Sequence, residues 1–118
     1  MHYNSDFKYD LKVGQAGERK LGRILNNKYI EVKTDTKAHI TGNVFIEYCS
    51  RGKMSGICTT RAEYYCFVLS DDLLILIKVE KLKKLCERYF KTDRNTRGGD
   101  NNTSKGILLP VKDMIEYM

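Results

Sequence analysis

The hydrophobic pattern of this chain changes period along its length, and those changes mark out its elements. Residues 28–35 alternate, with Ile30 and Val32 on one side and Glu31, Lys33 and Asp35 on the other. Residues 43–50 do the same, with Val44, Ile46 and Tyr48 opposed to Phe45, Glu47 and Cys49. Period-two alternation predicts strands with one buried face. Thr41-Gly42-Asn43 between them accept tight or positive-φ geometry, so residues 28–53 read as a hairpin. Upstream, Val13, Gly17, Leu21 and Leu25 recur every fourth residue with Ile24 beside them. That period predicts a helix over 11–26, closed by Asn26-Asn27. Residues 1–10 show no period and are expected to be a loose arm.

Downstream, YYCFVL (64–69) and LLILIKV (73–79) are nearly continuous apolar runs around Ser70-Asp71-Asp72. They predict strands in the middle of a sheet covered on both faces. Leu82, Leu85, Cys86 and Tyr89 form an i, i+3, i+4, i+7 stripe, which predicts a helix over 80–90 with its lysines facing solvent. Residues 92–105 are polar and rich in Gly and Asn, and read as a long mobile loop. Residues 107–111 form a last strand, placed at a sheet edge by Pro110, before a final helical turn or two. The fold class is α/β, in a single domain spanning 1–118.

Glycines at 14, 17 and 22 disagree with the first helix, at about 1 kcal/mol each relative to Ala. Two explanations fit them: a late helix start near Gly17, or close approach of the helix to a sheet or a phosphate backbone.

Charge adds a partner class. The 118 residues carry 21 Lys and Arg against 15 Asp and Glu, a formal net charge of +6. That balance favours an anionic partner, most simply nucleic acid, although a solvated lysine-rich surface gives the same count. No apolar run approaches the ~20 residues of a membrane span; the longest, LLILI, has strand length. The cysteines at 49, 58, 66 and 86 form no CxxC pair. They read as reduced, mostly buried thiols of a cytoplasmic protein.

The chemistry concentrates around the expected hairpin. Glu47 lies among Phe45 and Ile46, where a carboxylate needs a positive partner. If the strands pair, Asp35 and Glu47 approach each other, and a divalent cation is one remedy for their repulsion. Glu18, at the edge of the helix's packed face, is a further oxygen ligand, and Lys33 is the nearby cation. Mg²⁺, or Mn²⁺ in its place, would then activate water and stabilise charge on a phosphate. Lys33 would orient or deprotonate that water. The basic, hydroxyl-rich loop after the hairpin supplies Arg51, Lys53, Ser55, Thr59, Thr60 and Arg61 as a phosphate cradle, with Lys37 beside it. Each residue also has an ordinary reading: a strand-end cap for Asp35, a structural lysine partner for Glu47, an exposed strand position for Lys33.

The order of a helix with Glu18, a strand ending at Asp35 and a strand with Glu47 resembles the PD-(D/E)xK nuclease superfamily. The stretch TGNVFIEYCSRGKMSGICTTRAEYY resembles its small phage-type members, and the likeness covers residues 14–79. It implies a restriction-endonuclease-like mixed central sheet flanked by helices. It also implies Mg²⁺-dependent hydrolysis of DNA, including branched or junction DNA. Resolvase-like members usually act as dimers, so a homodimer is a further expectation. The chain departs from the pattern at Cys49, where the family's lysine should stand. Lys33 is the preferred replacement and Lys53 the weaker one. A second register, Glu31-Val32-Lys33, lacks a preceding aspartate strand. A non-catalytic nucleic-acid-binding module on the same fold is the competing function.

Overall fold

Residues 3–26 and 29–116 are described by a computed structural model. Contacts divide the chain into two units, Met1–Ile30 and Glu31–Met118.

The first unit is a helix, α1, running Tyr3–Leu25. It takes in residues 3–10 of the stretch expected to be a loose arm, whose first two residues lie outside the described residues. That stretch contains no Gly or Pro to break a helix, and Asp6 in the first turn suits the positive end of the helix dipole. The helix also continues through Gly14, Gly17 and Gly22, where an added Cβ would meet nothing within 4 Å. A late start therefore does not account for these glycines. Arg23 in the last turn suits the negative end of the helix dipole. Asn27 and Lys28, expected to end the helix and open the next strand, lie outside the described residues.

The second unit begins with β1, Ile30–Thr34, and a single-turn helix α2, Ala38–Thr41. Then come β2, Asn43–Ser50, and the short β3, Lys53–Met54. A 3₁₀ turn at Gly56–Cys58 leads to β4, Tyr64–Ser70, and β5, Leu73–Lys78. Helix α3 spans Val79–Glu87, followed by β6, Asn95–Gly98, and β7, Ser104–Pro110. A 3₁₀ turn, Val111–Met114, stands where the final helical turn was expected.

These strands form two sheets rather than one. β1, β4 and β5 make the first, in that order; β3, β2, β7 and β6 make the second. Among the described residues, β1 and β2 therefore do not pair as the expected hairpin. Asp35 is the reason: its Oδ1 accepts the N–H of Lys37 at 2.9 Å and of Ala38 at 3.0 Å, starting α2. Gly42, at φ 74°, ends that helix with its N–H on the Ala38 carbonyl. β2 instead pairs antiparallel with β7, Val44 opposite Leu109 and Glu47 opposite Gly106.

This pairing also corrects the reading of residues 92–105 and of Pro110. Residues 95–98 are a strand on β7, with Thr96 opposite Gly106. Added Cβ atoms at Gly98 and Gly106 would come within 2.9 and 2.6 Å of the Phe45 ring. The ring fills the space that these glycines leave, which fixes a segment of low strand propensity. β7 is consequently an interior strand, and Pro110 ends it without interrupting the ladder.

One apolar cluster joins both sheets and α3: Val44 and Ile46, Phe67 and Leu69, Leu82 and Leu85, Ile107 and Leu109. β4 turns Tyr65, Phe67 and Leu69 into it, while Leu73 and Leu74 of β5 are half exposed or more. The β4–β5 hairpin thus has one covered face instead of two. Of the cysteines, Cys86 is buried and Cys58 exposed, all four being free.

Candidate functional site

The candidate site is a cavity of about 210 Å³ lined by Lys33, Phe45, Ile46, Glu47, Gly56, Tyr65 and Phe67. Lys33 comes from the first sheet and Glu47 from the second, so the cavity draws on both. Lys33 reaches it because alternation along β1 puts Glu31 and Lys33 on the face of that strand nearest Tyr65. The Lys33 ammonium stands 6.0 Å from the centre of the Tyr65 ring. It also pairs with Glu31 at 2.8 Å.

Glu47 is held from two sides. Ser104 Oγ donates to its Oε1 at 2.6 Å and Ser55 Oγ to its Oε2 at 3.0 Å. The approach of the 3₁₀ turn depends on Gly56, whose Cβ would stand 2.2 Å from the Glu47 carbonyl oxygen. Each carboxylate oxygen keeps a second lone pair beyond the serine bond, so Glu47 retains acceptor capacity toward the cavity.

Glu31 accepts a second hydrogen bond, from Thr60 Oγ1 at 3.0 Å. Burial works to raise its carboxyl, but the Lys33 ammonium and the Thr60 hydroxyl outweigh it and hold the group below its ordinary value. Tyr65 is the residue that sequence reasoning missed. Only 2% of it is exposed, and its hydroxyl lies within electrostatic reach of Glu31 and Thr60 but outside hydrogen-bonding geometry to either. Burial first, and the Glu31 charge next, push its phenol up to about 12. A buried hydroxyl without a partner costs free energy unless something fills the space before it.

Asp35 does not line the cavity; its Oδ1 is engaged by the backbone of α2. Glu18 is exposed on α1, in the other unit. Among the described residues, no group of three or more His, Cys, Asp or Glu gathers in a way that would hold a metal ion. Within the second unit, Glu47 lines the cavity and Asp35 does not. Of the phosphate cradle, Ser55 and Thr60 turn inward to Glu47 and Glu31, and Thr59 Oγ1 faces the Gly56 carbonyl at 3.5 Å. Thr60 Oγ1 also accepts the Ala62 N–H. Lys37, Arg51, Lys53 and Arg61 are exposed. Arg51 holds φ 51° in the turn between β2 and β3.

Among the described residues, no helix is long and apolar enough to cross a membrane. No family model, no curated protein and no solved structure matches the chain.

Proposed function

We propose that this protein binds nucleic acid, most simply DNA, and hydrolyses a phosphodiester at the cavity between β1 and β2, on a restriction-endonuclease-like scaffold. The observation that carries this reading is that Lys33 and Glu47, from strands of separate sheets, line one cavity. Glu47, oriented by Ser55 and Ser104, accepts the proton of an attacking water. Lys33, steadied by Glu31, offsets the charge that develops on the phosphate oxygens. Tyr65 offers its hydroxyl to one of those oxygens. The exposed Lys37, Arg51, Lys53 and Arg61 supply sequence-independent backbone contacts. A Mg²⁺ or Mn²⁺ requirement rests on Glu47 with waters and phosphate oxygens, as sites with few carboxylates do. Such an ion would lower the pKa of its bound water. A homodimer gripping both strands belongs to the same proposal.

The test is cleavage of linear duplex, single-stranded and four-way-junction DNA in Mg²⁺, Mn²⁺ or EDTA. Lys33→Ala and Glu47→Ala are each expected to lose about 100-fold or more. Asp35→Ala should lose far less if its carboxylate only starts α2, and as much if it holds the metal. A parent protein that cuts none of these substrates in any metal refutes the reading.

One observation favours a second reading, a binding module that does not cut. Lys33 and Glu47 already have internal partners in Glu31 and the two serines, and Cys49 stands where the resembled family has lysine. That reading expects salt-sensitive DNA binding without cleavage.

A further inference from the structure

A second cavity, of about 640 Å³, opens elsewhere in the same unit. Its floor is buried and apolar, made by Ile57, Cys86 and Ile107. Tyr48 and Phe90 line it as a tilted ring pair with centroids 5.6 Å apart. The Tyr48 hydroxyl is fixed by Asn95 at 2.6 Å, which anchors that ring. Phe90, in contrast, is 55% exposed, and so is most of Met54 beside it. An aromatic ring left half in water at the mouth of an apolar cavity is an unfilled contact surface.

The mouth is positive. Lys83, Cys86, Glu87 and Phe90 follow the i, i+3, i+4, i+7 stripe of α3 and its extension, and Arg88 and Lys91 flank them. Lys83, Arg88 and Lys91 outnumber Glu87. The occupant that fits both features has a flat apolar body and an anionic link. Its size also falls within the range of pockets that enclose small organic groups.

We infer that this groove takes an unpaired nucleotide, the base against Phe90 and Tyr48 and its phosphates at Lys83, Arg88 and Lys91. Interleaved aromatic and basic side chains are what single-strand binding requires, because every base has a face to stack and every link a charge. The inference rests on the nucleic-acid half of the proposed function. It names the substrate class: DNA with single-stranded or displaced nucleotides, preferred over blunt duplex.

The experiment measures binding of a labelled single-stranded oligonucleotide and a blunt duplex by anisotropy, in EDTA so that cleavage plays no part. Phe90→Ala, at a position 55% exposed, should weaken single-strand binding about tenfold. Duplex binding should change less than about twofold, and Phe90→Trp should restore the single-strand affinity. Arg88→Ala with Lys91→Ala should weaken single-strand binding and flatten its salt dependence. Cys58 is exposed and lines the groove, so bound oligonucleotide should slow its labelling by maleimide in the parent but not in Phe90→Ala. Equal single-strand affinity in the parent and Phe90→Ala overturns the inference, even where the parent cuts DNA. So does capture of an acidic amphipathic peptide at the groove with no single-strand binding. A protein that binds single strands through Phe90 but never cuts keeps the groove and loses only the nuclease.

Discussion

Gly56 lies so close over Glu47 that a single added carbon on the glycine would stand 2.2 Å from the Glu47 carbonyl oxygen. Its φ of +52° disfavours any residue with a Cβ as well. Gly56→Ala must therefore push the 3₁₀ turn off β2, and Ser55 with it. Backbone strain and the clash together should cost roughly 2–4 kcal/mol, read as a lower urea midpoint. Because Ser55 orients Glu47, any cleavage activity should fall further than the folded fraction does. An unchanged midpoint would mean that the turn does not pack as described.

Glu31 sets an acid limit on stability. Its carboxyl is held below its ordinary 4.5 in the folded protein, against the effect of burial, by Lys33 and Thr60. The folded state therefore binds this proton more weakly than the unfolded chain. The stabilisation is fully present above about pH 4.5 and is lost as pH falls through the folded value. Glu31→Gln should be less stable than the parent at neutral pH and should converge with it in acid. Parallel stability curves from pH 7 to pH 3 would contradict the ion pair's contribution.

How much of this was legible in the sequence differs from element to element. β2, β4, β5 and α3 were legible because their periods are local properties of their own residues. Strand partners are not local: alternation in residues 43–50 says which side faces inward, but not that β7 lies alongside. Asp35 was noticed for its charge, while its use as a backbone acceptor starting α2 broke the expected hairpin. β6 carries no hydrophobic period because its packing partner is the Phe45 ring, and the spaced glycines at 98 and 106 were the only trace of that. Lys33 and Glu47 do line one cavity, though through the contact of two sheets rather than through strand pairing. Tyr65 was missed because nothing local in the run YYCFVL says which of its two tyrosine hydroxyls is buried.

Asp113 is 4% exposed, and its carboxylate accepts a hydrogen bond from the Tyr89 hydroxyl. That bond raises the Tyr89 phenol above its ordinary value, with burial and the Asp113 charge adding to it. Tyr89→Phe removes the donor and leaves a buried carboxylate without it. The expected loss is about 1.5–3 kcal/mol at neutral pH, the range for hydrogen bonds to charged groups. Asp113→Asn in the same background should recover part of it, because the amide no longer carries a buried charge. Equal urea midpoints for Tyr89→Phe and the parent would show that Asp113 is satisfied some other way.

Tyr65→Phe separates stability from function at the cavity. The hydroxyl is buried without a hydrogen bond, so deleting it removes an unsatisfied group and should raise stability by up to about 1 kcal/mol. The pH dependence carries a second sign. Burial and the Glu31 charge raise the phenol from 10.0 to about 12, so the folded state holds this proton more tightly than the unfolded chain. That contribution is fully present below about pH 10 and disappears as pH rises toward 12. The Phe variant should thus lose less stability than the parent between these values. If the hydroxyl serves a phosphate oxygen, the same variant should bind or cut nucleic acid less well while unfolding at higher urea. A variant that is both more stable and fully active would assign Tyr65 to the core alone and leave Lys33 and Glu47 as the charged side chains that meet substrate in the cavity.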